Sequence, residues 1–203
     1  MRLMWTGALL AGVGASVGAR GAGAQVRDTA VFAGGCFWGV DAVFRHVRGV
    51  THVVSGYAGG SAVTAHYVLV STSATGHAES VEVTFDPQRV SYEELLRVFF
   101  TVAHDPTQKN RQGPDEGSQY RSVVFYRTPT QQRAAQAFLA GLAASGEYAR
   151  PIVTQVAPLD RFYPAEGYHQ DYLARHLTSP YIVYNDLPKL RLLEERLPAL
   201  YQR

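Results

Sequence analysis

Cysteine is almost absent: the 203 residues contain one, Cys36. A single thiol excludes an internal disulfide, so in an oxidising compartment it is either buried and inert or kept for chemistry. Acidic residues are absent from residues 1–24, which hold Arg2, a broken apolar stretch over 3–19 and the small-x-small triplet Ala22-Gly23-Ala24. That pattern is expected to be a secretory signal peptide cleaved before Gln25. The apolar stretch is short for a membrane span and is interrupted by Gly and Ser. With no Arg-Arg pair and no cysteine directly after Ala24, twin-arginine export and lipid attachment have no support.

Loss of Arg2 and Arg20 with the signal takes the 19 basic residues to 17, equal to the 17 acidic ones. A formally neutral mature chain gives no basis for nucleic-acid binding or for a polybasic membrane patch. The expected location is outside the cytoplasm, periplasmic or secreted, with no stable membrane association after cleavage. Internal repeats, low-complexity runs after Ala24 and linkers long enough to divide the chain into separate domains are also missing. Residues 25–203 therefore read as one domain, large enough for a sizeable core and expected to be a monomer.

What is present is a mixture of strand and helix signals. Residues 28–33 read as a short strand ending in Gly34-Gly35. From Cys36 to Val47, apolar Phe37, Val40, Val43, Phe44 and Val47 fall on one helix face. Residues 50–57 read as a strand, and 78–85 as another with Val81, Val83 and Phe85 inward. Ser91 with Glu94 is a capping box opening a helix. Further strands are expected over 121–126 and 152–157, helices over 130–144, 166–176 and 189–197, and a loop over 179–188. Strict strand–helix alternation is missing, so the fold class is α+β, helices packed on an antiparallel or mixed sheet.

Four polar or glycine-rich clusters stand out. Gly34-Gly35-Cys36-Phe37-Trp38-Gly39 sits where a strand turns into a helix. Cys36 at a helix N-terminus meets unpaired N–H groups and the positive end of the dipole, which is expected to lower its pKa and favour the nucleophilic thiolate. A merely structural cysteine is the alternative. Phe37 and Trp38 can wall a small apolar pocket beside the thiol, and an indole N–H needs a partner. In Thr75-Gly76-His77-Ala78-Glu79, a carboxyl among apolar neighbours has a raised pKa and can act as an acid near neutral pH. The polar run 104–122 carries Asp115 and Tyr120, and 166–172 is Glu-Gly-Tyr-His-Gln-Asp-Tyr. Loops of that length are usually functional or disordered, and the strand following at once argues against disorder.

Taken together with Gly-Tyr-Ala-Gly-Gly at 56–60, these motifs resemble the A-type peptide-methionine sulfoxide reductases. The resemblance runs from about Phe32 to Leu190 in one order. It implies a two-layer α/β sandwich with a ferredoxin-like core and no bound metal or cofactor. It implies that Cys36 attacks the sulfur of the S epimer of methionine sulfoxide, free or in oxidised proteins. Glu79 then matches the acid for the departing oxygen, Tyr67 and Tyr120 its two phenol donors, Asp115 a supporting acid, and Phe37 and Trp38 the pocket for the substrate methyl group. Donors aimed at that oxygen stabilise charge that develops only in the transition state.

The product on the enzyme would be a Cys36 sulfenic acid, a reversible oxidation state. Many members carry a further cysteine that resolves it. Here residues 185–203 have none, position 39 is Gly and position 71 is Ser. An external thiol, thioredoxin-like or small, is therefore expected to regenerate Cys36. Asp41 stands where Glu is commoner, Thr64-Ala65-His66 replaces Asn-Pro-Thr, and Ser73 stands where Gly is usual. Three other readings compete: a Cys/His hydrolase with His77 or His169 as base, a sulfoxide-binding module without turnover, and a thiol peroxidase.

Overall fold

The computed structural model describes residues 26–203. The expected signal segment, residues 1–24, lies outside the described residues. In chain order the strands are β1 (Asp28–Ala33), β2 (Val50–Ala58), β3 (Ala78–Phe85), β4 (Arg111–Gln112), β5 (Asp115–Glu116), β6 (Val123–Tyr126), β7 (Gln155–Pro158) and β8 (Phe162–Pro164). The helices are α1 (Phe37–Arg45), α2 (Tyr67–Val70), α3 (Tyr92–Val98), α4 (Pro129–Ser145), α5 (Tyr172–Arg175) and α6 (Leu187–Arg196).

Six strands form one mixed sheet in the order β7-β6-β1-β3-β2-β8, with β4 and β5 a separate hairpin. All pairs in the large sheet are antiparallel except β6 with β7. The sequence-based strand at 78–85 is reproduced, and it lies between β1 and β2. Its odd-numbered residues Glu79, Val81, Val83 and Phe85 share one face by the two-residue period. Against that face α1 lays Phe37, Val40, Val43 and Phe44, and α3 lays Leu95, Leu96 and Val98, all buried. The opposite face is covered by a smaller cluster around Val31, Ala33, Ala78, Val123 and Phe125.

Glu79 is the one carboxyl in that apolar row. The β1–β3 register pairs Phe32 with Val81, so continuing it by two residues sets Gly34 opposite Glu79. The acid is thereby carried to the end of the sheet where β1 turns into α1. Ser91 caps α3 as expected, its hydroxyl accepting from the Glu94 N–H at 3.1 Å while the Glu94 carboxylate accepts from the Ser91 N–H.

Several elements differ from the sequence-based expectation. Residues 166–176 do not form one helix: a 3-10 turn at Gly167–His169 is separated from α5 by Asp171, whose φ of 52° is left-handed. Residues 179–188 are not a loop, because a π-helical turn at Ile182–Asp186 leads straight into α6. Pro188 fits there because the first turn of a helix needs no N–H from it. The run 104–122 holds the β4–β5 hairpin and a 3-10 turn at Ser118–Tyr120. Among the described residues no helix is long and apolar enough to cross a membrane.

Candidate active site

Cys36 occupies the N-cap position of α1, one residue before the helix begins, and is 7% exposed. The glycine before it has a φ of +92°, which an L side chain rarely adopts, and a Cβ there would strike the side chain of Gln112. Two glycines thus let the chain reverse tightly between β1 and α1, as the motif suggested. The thiol faces a small opening of about 80 Å³ lined by Gln112, Gly113, Pro114, Asp115, Tyr181, Asn185 and Lys189.

The expected lowering of the Cys36 pKa is overturned. Burial pushes the thiol well above its usual value, and the nearby carboxyls of Glu79, Asp186 and Asp115 push the same way, against a hydrogen bond from the Trp38 N–H. The helix end is present, but one N–H bond does not offset desolvation plus three potential negative charges. The resting side chain is a thiol.

Glu79 is 2% exposed, and one carboxyl oxygen accepts from the Phe37 N–H at 3.1 Å. That bond ties the acid to the residue adjoining Cys36. Burial lifts its pKa to about 8, opposed by the Phe37 N–H and assisted by Asp115. At neutral pH the group therefore holds its proton, and the oxygen not bound to Phe37 is left to carry it. The sequence-based expectation for this residue is met in direction and in cause.

Tyr67 and Tyr120 come from different segments. Tyr67 opens α2, its N–H donating to a Glu166 oxygen at 2.9 Å and its ring packing on His169 with centroids 4.4 Å apart. The Tyr67 phenol pKa is raised by burial and then by Glu79. Tyr120 ends the 3-10 turn of residues 118–120, and its phenol is raised by burial and by Glu79, Cys36, Asp115 and Tyr67. Each phenol therefore keeps its proton and lies within electrostatic reach of both Cys36 and Glu79.

Asp115, on β5, accepts from the Tyr181 phenol at 2.5 Å, and burial raises its carboxyl pKa. Phe37 is 1% exposed, packed between Tyr57 and His169, so it is floor more than wall. Trp38 is less buried; it stacks on Tyr172 at 3.7 Å and meets Tyr181 edge-on at 5.8 Å. Its indole N–H finds the partner the sequence asked for, donating to His169 Nδ1 at 3.1 Å. Because the indole only donates, that nitrogen is bare and the neutral ring carries its proton on Nε2. His77 is buried with Nε2 bonded to the Ser61 carbonyl at 2.9 Å. Among the described residues neither His77 nor His169 hydrogen-bonds Cys36, which leaves a Cys/His hydrolase without its base.

The six motif-derived residues and Asp115 converge on one end of the sheet. Glu166, Tyr181, Asp186 and Lys189 join them without having been singled out. Glu166 holds the Tyr57 phenol at 2.8 Å as well as the Tyr67 N–H. Asp186 is fully buried beside Cys36 and pairs with Lys189 at 3.2 Å. Only Glu166 lay inside a motif; the other three fell in or beside the segment read as loop, where no periodicity marks them.

A buried thiol and a protonated buried carboxyl, with two phenols in electrostatic reach of both, suit the transfer of an oxygen atom to sulfur. Comparison with known proteins agrees. The family model described as peptide methionine sulfoxide reductase matches residues 28–199. Peptide methionine sulfoxide reductase MsrA 2 of Mesorhizobium japonicum is 56% identical over 174 residues, 86% of this chain and 89% of the relative. A protein of the same name from Synechocystis is 52% identical, covering 85% of this chain and 81% of its own. Methionine sulfoxide reductase A of Corynebacterium diphtheriae superposes with a TM-score of 0.71 at 34% identity, covering 76% of this chain and 77% of that one. With a family match running from the first strand through the last helix, the chain belongs to the peptide methionine sulfoxide reductase family.

Proposed function

We propose that the site reduces the S epimer of methionine sulfoxide, free or in oxidised proteins, with Cys36 as nucleophile and Glu79 as acid. As a member of its family the chain is an oxidoreductase acting on methionine sulfoxide. The observation that carries the residue assignment is the buried Glu79 carboxyl, raised to about 8 and bonded to the N–H next to Cys36. Sulfoxide oxygen is a poor leaving group until protonated, and this acid is charged with a proton at the pH where repair is needed. The Tyr67 and Tyr120 phenols supply two more donors to the same oxygen. Asp115 supports the site through Tyr181, while Trp38 over Phe37 receives the methyl group.

The oxygen leaves the substrate sulfur and ends on Cys36, so a thiol and a sulfoxide become a sulfenic acid and a thioether. Two equivalents of an external thiol then restore Cys36, yielding one disulfide and one water. The lack of any second cysteine supports an outside reductant, thioredoxin-like or a small thiol. The core we take to be ferredoxin-like. The order β6-β1-β3-β2, with α1 after β1 and α3 after β3, supports this, since it follows the β-α-β-β-α-β pattern. The protein is further read as an exported monomer, periplasmic or secreted, free of the membrane after loss of residues 1–24. N-terminal sequencing of secreted protein is expected to begin at Gln25, and retained Met1 would overturn that reading.

The deciding assay follows methionine formation from each sulfoxide epimer and thiol loss from excess dithiothreitol, with a hydroperoxide as parallel oxidant. Turnover of the S epimer far above the R epimer and the peroxide is expected. Equal or faster peroxide reduction would make the protein a thiol peroxidase; binding without turnover would make it a sulfoxide-binding module.

A further inference from the structure

Ser73 lies three residues after α2, on the strand-ward side of the loop that carries Tyr67, and its φ of 64° is left-handed. Glycine adopts that conformation without strain and serine does not. The hydroxyl of this residue is engaged all the same. It donates to Gln119 Oε1 at 2.6 Å, and the Ser73 carbonyl accepts from the Ser118 hydroxyl at 2.8 Å. Gln119 is buried, and a Cβ at neighbouring Gly117 would land on its Oε1 and on the Ser73 hydroxyl. Two hydrogen bonds thus tie the end of the Tyr67 segment to the turn that ends in Tyr120.

The same turn is fixed on its other side. Arg121 donates to the carbonyls of Ser118 at 2.9 Å and His77 at 3.0 Å through one nitrogen, and to Gly76 at 2.9 Å through another. Those last two carbonyls belong to the bend leading into Glu79. Tyr120 is therefore braced toward Glu79 by Arg121 and toward Tyr67 by Ser73. The Arg121 brace reaches the bend before β3; the Ser73 brace joins an exposed loop residue to the turn at 118–120.

We propose that Ser73 is a positioning residue for sulfoxide reduction: its bonds to Gln119 and Ser118 hold the Tyr67 and Tyr120 phenols at the separation that grips the sulfoxide oxygen. This rests on the reading that both phenols donate to that oxygen. A Ser73 kept only for stability is the competing account, and backbone strain separates the two. Ser73→Gly removes the strain together with the hydroxyl, so a purely structural role predicts wild-type kinetics or a less stable protein.

The experiment compares wild type, Ser73→Gly, Gln119→Met and the double variant by steady-state kinetics on the S sulfoxide with dithiothreitol and by thermal melting. In Ser73→Gly, kcat is expected to fall about ten-fold with KM within about two-fold, as a misplaced donor acting mainly in the transition state should do. Its melting midpoint is expected to equal or exceed wild type. Gln119→Met is expected to match that loss, and the double variant to be no slower than either single one, since all cut one connection. Wild-type kcat in Ser73→Gly, a lowered midpoint, or independent losses that multiply would each overturn the inference. The Tyr67→Phe/Tyr120→Phe variant guards the premise. Full activity there sinks the phenol-donor reading and this inference with it, whereas a slow double-Phe variant beside a normal Ser73→Gly sinks the inference alone.

Discussion

Cys36→Ser is expected to leave sulfoxide reduction at background, a total loss and not a slowing. The two electrons that turn sulfoxide into thioether come from the Cys36 sulfur, which ends as a sulfenic acid. A serine hydroxyl has no corresponding oxidised state, so removing the sulfur removes the reductant along with the nucleophile. The serine side chain fits the same N-cap position and the same small opening, and the donors at Glu79, Tyr67 and Tyr120 are untouched. Substrate binding is therefore expected to survive, and calorimetric titration with S sulfoxide beside a chromatographic assay for methionine separates the two effects. Turnover near the wild-type rate would show that the electrons come from elsewhere. The raised thiol pKa sharpens the expectation. Burial first, and then any negative charge on Glu79, Asp186 and Asp115, raises the Cys36 thiol, so the resting nucleophile is a thiol that must give up its proton to react. A sulfoxide offers a positive sulfur to the Cys36 nucleophile and a negative oxygen to the Glu79 proton.

Much of this was legible in short stretches of sequence. The stripe Phe37, Val40, Val43 and Phe44 specified α1 and its buried face; Val47, expected in the same helix, lies just past its end but in the same core. Ser91 with Glu94 marked the start of α3, and alternation through Val81, Val83 and Phe85 marked β3 to its last residue. In the structure the same two-residue period carries Glu79 to the buried face as well. What was not legible had no local period to read. β8 is three residues and α2 is four, shorter than any repeat that reveals a strand or a helix. The break in residues 166–176 rests on one left-handed residue, Asp171. The direction of the Cys36 shift was misjudged for a similar reason. Its helix end is visible in Gly-Gly-Cys, but the opposing carboxyls come from positions 79, 115 and 186, brought together only by the fold. Tyr181 and Lys189 entered the site by the same route, on either side of a π-helical turn where two prolines and an asparagine suggested loop.

Glu79→Gln is expected to lower kcat by about 10²-fold or more, the usual span of general-acid catalysis. Glutamine keeps the shape and can still accept from the Phe37 N–H, so α1 and Cys36 stay in place; what it lacks is a transferable proton. The pH profile distinguishes this from a generic injury. Glu79 with a pKa of about 8 is loaded below that pH and empty above it, so wild-type kcat is expected to decline as pH rises through about 8. The glutamine variant has no proton to lose, and its slow rate is expected to lack that decline. Stability moves in the same window with a definite sign. The folded state binds this proton more tightly than the unfolded chain, whose ordinary carboxyl titrates near 4.5, so folding stability is lost as pH climbs from there toward about 8. Glu79→Gln removes that loss and is expected to melt no lower than wild type at alkaline pH. A variant that is slow, stable and flat above neutrality has lost an acid; one that is slow because it melts early has lost only a side chain. Wild-type rates in Glu79→Gln would take the carboxyl out of the reaction altogether, and the proton for the departing oxygen would then have to come from a phenol.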